Sequence, residues 1–97
     1  MSMKEIINQL FEIEKKVSDH NLDMLTRNLT RIHHQLEEMG YQIVNPVGKR
    51  YDERDASVEA NILNPNATMI TRVLKPVIYT TENGNYTLLQ KGVVIVE

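Results

Sequence analysis

Two helical patterns followed by a series of short β-patterned segments predict an α+β fold with helices and strands segregated along the chain. Three observations carry this. Apolar residues recur at three- and four-residue spacing up to Met39, Gly40 ends that rhythm, and two strand-like runs are joined through Glu82-Asn83-Gly84-Asn85. The expected architecture is two N-terminal helices forming half of a dimeric four-helix bundle, followed by a small antiparallel β domain with a long C-terminal hairpin. Residues 1–40 are the expected helical dimerisation region and 41–97 the β domain.

The first helix is expected from about Lys4 to Asp19, where Ile6, Leu10, Ile13 and Val17 form an apolar stripe broadened by Ile7 and Phe11. In the second, Leu22, Leu25, Leu29, Ile32, Leu36 and Met39 keep the same rhythm to Gly40, a C′ glycine. Ser18-Asp19-His20-Asn21 offers capping side chains and no large apolar residue, so a break is expected between Asp19 and Asn21. The competing arrangement is one helix of about 36 residues, roughly 54 Å long. Two such stripes bury themselves well in a four-helix bundle built by two chains. Packing of both helices on the protein's own sheet is the alternative.

After Gly40, Tyr41 to Val44 reads as a short strand and Val47 to Asp55 as a polar surface loop. Ser57 to Leu63 alternates, with Val58, Ala60 and Ile62 on one face, and Asn64-Pro65-Asn66 turns the chain. Met69–Thr81 and Tyr86–Glu97 are the arms of the hairpin, because Asn-Gly supplies the positive φ that both central turn positions need. Centring the turn there pairs Ile78 with Leu89, Leu74 with Val93, Val73 with Val94 and Lys75 with Gly92. Pro76 has no N–H for a ladder and marks an edge or a bulge. Each face of the hairpin is apolar with one or two basic or amide side chains. One face is expected to be core, and the other is either solvated, with Lys75 or Arg72 blunting an edge, or docks a protein.

Ninety-seven residues make one small domain, or a small domain plus a helical extension, burying only about 60–70% of the unfolded surface. The absence of cysteine excludes disulfides and thiolate metal sites. No apolar run approaches the roughly 20 residues of a bilayer span, and no secretory leader is evident, so a cytoplasmic protein with no membrane partner is expected. Residues 1–40 carry five Lys and Arg against seven Asp and Glu, and residues 41–97 six against six. With no basic face and no interleaved aromatic platform, nucleic acid is not expected as a partner.

Chemistry is sparse. Adjacent His33 and His34 project about 100° apart on a helix and lack further metal ligands, so both are expected on its wet side. Asp52, Glu53 and Asp55 alternate with Arg50 and Arg54 as a charge-balanced loop. No glycine-rich phosphate loop and no nucleophile with a base at motif spacing is present. The sequence therefore reads as a binding module that is not an enzyme and needs no cofactor.

Leu36-Glu37-Glu38-Met39-Gly40-Tyr41-Gln42-Ile43 is similar to the helix-to-sheet junction of the GrpE family, the nucleotide exchange factors of DnaK-type chaperones. Gly48-Lys49-Arg50-Tyr51-Asp52 resembles that family's loop G-x-x-F-D-P, and Val73-Leu74-Lys75-Pro76 and Leu89-Gln90-Lys91-Gly92 resemble its strand motifs V-L-R-P and L-Q-K-G. The chain departs from the pattern at Glu53, in place of the loop proline, at Ala56, in place of a histidine, and in the reversed order of the strand motifs. It has no counterpart of the long helix preceding the bundle, so the resemblance is to a shortened form.

The resemblance implies a co-chaperone that binds the ATPase domain of a DnaK-type chaperone and promotes ADP release, working as a homodimer. It implies partner contacts at Gln90, Lys91, Val94 and Val96, with Lys75 and Tyr51 as secondary contacts. The implied dimer interface uses Ile6, Leu10, Ile13 and Val17 with Leu25, Leu29, Ile32 and Leu36. The alternative is a GrpE-like dimeric adaptor or assembly protein without exchange activity.

Overall fold

The computed structural model describes residues 2–97. The Ser2 hydroxyl accepts a hydrogen bond from the Glu5 N–H at 3.2 Å and starts helix α1 (Met3–Asp19). The helix ends where the sequence loses its apolar rhythm. The His20 N–H donates to Lys16 O, and Asn21 adopts φ 54°, a left-handed conformation that asparagine tolerates. A single 3₁₀ turn at Asp23–Leu25 leads into α2 (Thr26–Glu38), so the N-terminal region is two helices. Gly40, at φ 92°, closes α2, its N–H donating to Glu37 O.

Six strands follow: β1 (Tyr41–Val44), β2 (Val58–Ile62), β3 (Ile70–Lys75), β4 (Val77–Glu82), β5 (Asn85–Gln90) and β6 (Gly92–Val96). They form two three-stranded sheets in the orders β1-β4-β5 and β2-β6-β3. The fold is thus α+β, helices first. The expectation of a purely antiparallel β domain is corrected, because β2 runs parallel to β6. The whole β3–β5 segment serves as the connection between those two neighbours, long enough for a parallel pair.

The single long hairpin is not present as such. Asn83 and Gly84, at φ 53° and 80°, turn β4 into β5, and farther back β3 pairs antiparallel with β6. The two ladders belong to different sheets, because both arms bend between them at Pro76 and Lys91. Val73 stands opposite Val94 as expected, but the register slips by one at each side of the bend, giving Lys75 opposite Val93 and Ile78 opposite Gln90. Pro76, fully buried and unable to donate, is the physical reason.

Helix α1 lies across both sheets. Phe11 packs on Ile70, Val73, Val94 and Val96, while Ile7 and Leu10 meet Leu36 of α2 and Ile78 of β4. A reciprocal pair of amide hydrogen bonds joins Asn8 to Gln90 at 2.8 and 2.9 Å, and the Gln90 amide also donates to Pro76 O at 2.9 Å. That clasp holds α1 at the bend. The expectation that the helical stripes are left wholly for another copy is corrected accordingly. Leu10, Val17 and Leu36 are buried within this chain and Leu29 is half-buried, whereas Ile6, Ile13, Leu25 and Ile32 are 39–47% exposed. At 100° per residue the inward set lies only about 40° around each helix from the outward set, so one stripe serves two surfaces.

Candidate docking surfaces

Strand β6 alternates without interruption, and α1 decides which alternate is core. Gly92, Val94 and Val96 face Phe11 and are buried, the two valines completely. Their side chains cannot touch a partner, which corrects the placing of Val94 and Val96 at the contact surface. The period of two was legible in the sequence. The choice of face depended on a helix more than 80 residues away.

Val93 and Ile95, half-buried, occupy the opposite face of the β2-β6-β3 sheet. Glu59 and Lys75 flank Val93 across the neighbouring strands, and Asn61 and Arg72 flank Ile95. The result is a small apolar centre framed by two cations, one carboxylate and one amide. Lys91 stands at the edge of this face with its ammonium 3.9 Å from the Glu59 carboxylate, half-exposed. Lys75 and Lys91 are thus available at the surface, while Gln90 is engaged by Asn8 and Pro76. Tyr51 is half-buried against the core around Phe11, its N–H donating to Thr68 O at 2.7 Å. It belongs more to the wall of the domain than to its contact face.

The two strand motifs of the resemblance converge, although β4 and most of β5 lie between them in sequence. Lys75 is opposite Val93, Gln90 bonds Pro76 O, and a methyl group on Gly92 would stand 2.8 Å from a Val77 methyl. Gly92 is therefore required by close approach of strands rather than by its backbone angle.

In the polar loop, the Arg54 guanidinium donates twice to the Asp52 carboxylate at 3.2 Å, and the Arg54 N–H donates to it at 2.9 Å. These bonds hold the Asp52 carboxyl below the ordinary carboxylate range, which makes it a poor proton acceptor. His33 corrects the wet-side expectation. Its Nε2 is 2.6 Å from Glu14 of α1 and both side chains are mostly shielded, whereas His34 pairs with Glu38 in solvent at 3.1 Å. Among the described residues, no three His, Cys, Asp or Glu side chains converge as metal ligands would. Among the described residues, no helix is long and apolar enough to cross a membrane.

No protein-family model, curated protein or solved structure significantly matches the chain.

Proposed function

We propose that this chain is a GrpE-like co-chaperone whose β half docks on the ATPase domain of a DnaK-type chaperone and promotes ADP release. The observation that carries this is the meeting of the two family-like motifs at the bend between the sheets, beside the Val93–Ile95 patch with Arg72, Lys75 and Lys91 around it. Binding an open ATPase domain more tightly than a closed one is sufficient to speed nucleotide loss. No proton transfer or covalent step is required.

The homodimer belongs to the same proposal, with a revised seam. Ile6 and Ile13 of α1, Leu25 of the 3₁₀ turn and Ile32 of α2 remain exposed, and the adjacent helical positions Gln9, Asn28 and Gln35 are exposed and uncharged. An outer strip of apolar and amide side chains on both helices, bordered by exposed Lys16 and Arg31, suits burial against its own copy as a four-helix bundle. The inner members Leu10, Val17, Leu29 and Leu36 hold each protomer together.

The test is release of a fluorescent ADP analogue from a DnaK-type chaperone at increasing concentrations of this protein. Acceleration that rises with, and saturates at, high concentrations of this protein is expected, together with ADP affinity weakened within the roughly 5- to 150-fold range typical of coupled sites. Stable binding without acceleration assigns the dimeric adaptor role instead, and absence of binding removes both readings.

A further inference from the structure

A six-residue strand presents an edge that no part of the described chain covers. β5 pairs only with β4, and all of Asn85–Leu89 is exposed, with Tyr86 at 65%. The other three sheet edges are managed. β1 is only four residues long, and β2 carries Glu59. At β3, Ile70 bonds backbone groups of Gly48 and Lys49, and Val73 O accepts from Lys15 Nζ. By contrast, Asn-Tyr-Thr-Leu-Leu-Gln holds no charge, no proline and no glycine. Natural proteins blunt such an edge unless it is used.

The unpaired main-chain groups specify an extended strand as occupant, and the flanking charges specify which one. Glu82, exposed, ends β4 directly across from Asn85, and Lys91, half-exposed with its ammonium 3.9 Å from Glu59, follows Gln90 at the other end of β5. Antiparallel pairing of this edge with itself sets the acid of one copy near the lysine of the other at both ends. Parallel pairing sets like charges together. Tyr86 and Leu88 project from the same face of their sheet as Tyr79, whose ring meets that of Tyr86 edge-on with centroids 6.2 Å apart. Directly opposed side chains in an antiparallel pair share a face.

We propose that β5 pairs antiparallel with β5 of a second copy about a two-fold axis through Thr87, joining two sheets into one of six strands. Thr87 then opposes itself, and each Tyr86 opposes Leu88 of the second copy, an aromatic–aliphatic pair made twice. This contact is separate from the proposed helical dimer interface. Asn8, which reaches Gln90 at the end of β5, lies about 140–160° around α1 from Ile6 and Ile13. A six-residue ladder buries well under the roughly 800 Å² per partner of a stable interface, so the association is weak, with a dissociation constant on the order of 10⁻⁴ M.

The chain has no cysteine, which makes a directed cross-link clean. In an Ile13→Glu/Ile32→Glu background, which removes the helical contact, Thr87→Cys and Tyr86→Cys are compared under copper-catalysed oxidation. In the proposed register, position 87 cross-links at least about tenfold faster than position 86, because only the former meets its own mate within disulfide reach. Sedimentation of the same background is expected to show a dimer forming toward about 1 mM protein. Lys91→Glu is expected to weaken that dimer, and Glu82→Lys combined with Lys91→Glu to restore it. A monomer at that concentration, equal cross-linking at 86 and 87, or a charge swap that fails to restore association overturns the proposal. All these positions are exposed, and circular dichroism verifies that each variant is folded.

Discussion

Gly92 bears more structural constraint than its size suggests. Any side chain there enters the 2.8 Å gap to Val77, with Lys75 O and a Val58 methyl each 3.4 Å away. Gly92→Ala is expected to destabilise the fold by about 1–3 kcal/mol, the usual cost of overpacking, measured by urea unfolding. Gln90 is a second case. The resemblance implies a partner contact there, yet its amide closes a ring of hydrogen bonds to α1 and to Pro76. Nothing in the local pattern points to Asn8 as its mate, because the two are separated by 82 residues. Asp52 shows the opposite situation, since its partner Arg54 is two residues away and legible in the sequence. Its folded-state pKa is lowered, so its stabilising contribution is present at neutral pH and fades as pH falls below the ordinary carboxylate value of about 3.9. An NMR titration is expected to place the Asp52 midpoint below that value, and Arg54→Ala to raise it part of the way back, because the N–H of residue 54 still donates to the carboxylate.

The elements were legible where a local rule settled them. Gly40 ends the helical region, Asn21 lies in its break, and Asn83-Gly84 turns β4 into β5, whereas the Ser2 cap that starts α1 was not read from the sequence. What local rules could not settle was which side of an element is covered. The helical stripes were read as one seam, and the structure divides the members of each between an inner and an outer set only about 40° apart. On β6 the alternation was clear, but α1 covers Val94 and Val96 and leaves Val93 and Ile95 outward. Pro76 signalled an irregularity without revealing that both arms would change sheets there. The division of the stripes has a direct consequence. Leu10→Ala removes a core side chain and is expected to cost about 2–5 kcal/mol in thermal or urea unfolding. Ile13→Glu with Ile32→Glu touches only exposed positions, each shift staying within about 0.5 kcal/mol, yet is expected to convert a dimer into a monomer in sedimentation velocity. If the paired variant loses stability as Leu10→Ala does, the outer face is core. If it stays dimeric, the seam lies elsewhere.

At the scale of the whole molecule, α1 carries the organisation, because it covers the inner faces of both sheets and thereby determines the exposed one. The β2-β6-β3 sheet turns Val93 and Ile95 outward between Arg72, Lys75, Glu59 and Asn61. Cations at the rim of an interface act chiefly on the rate of encounter, and their effect falls as salt screens them, with a Debye length of about 8 Å at physiological ionic strength. The apolar centre acts through desolvation and changes the dissociation rate. These two contributions separate experimentally. Arg72→Glu with Lys75→Glu is expected to slow association with the chaperone ATPase domain and to flatten its salt dependence, with little change in unfolding. Ile95→Ala is expected to raise the dissociation rate by about tenfold, corresponding to roughly 1.4 kcal/mol, with the salt dependence retained. Val94→Ala, on the same strand, reports the opposite balance, losing stability through a core cavity before it alters binding. Surface plasmon resonance over a salt series, read beside urea unfolding of the same variants, distinguishes the patterns. Binding that is lost with Val94→Ala in proportion to unfolding, and left intact by the outward substitutions, would place the docking face somewhere other than this sheet.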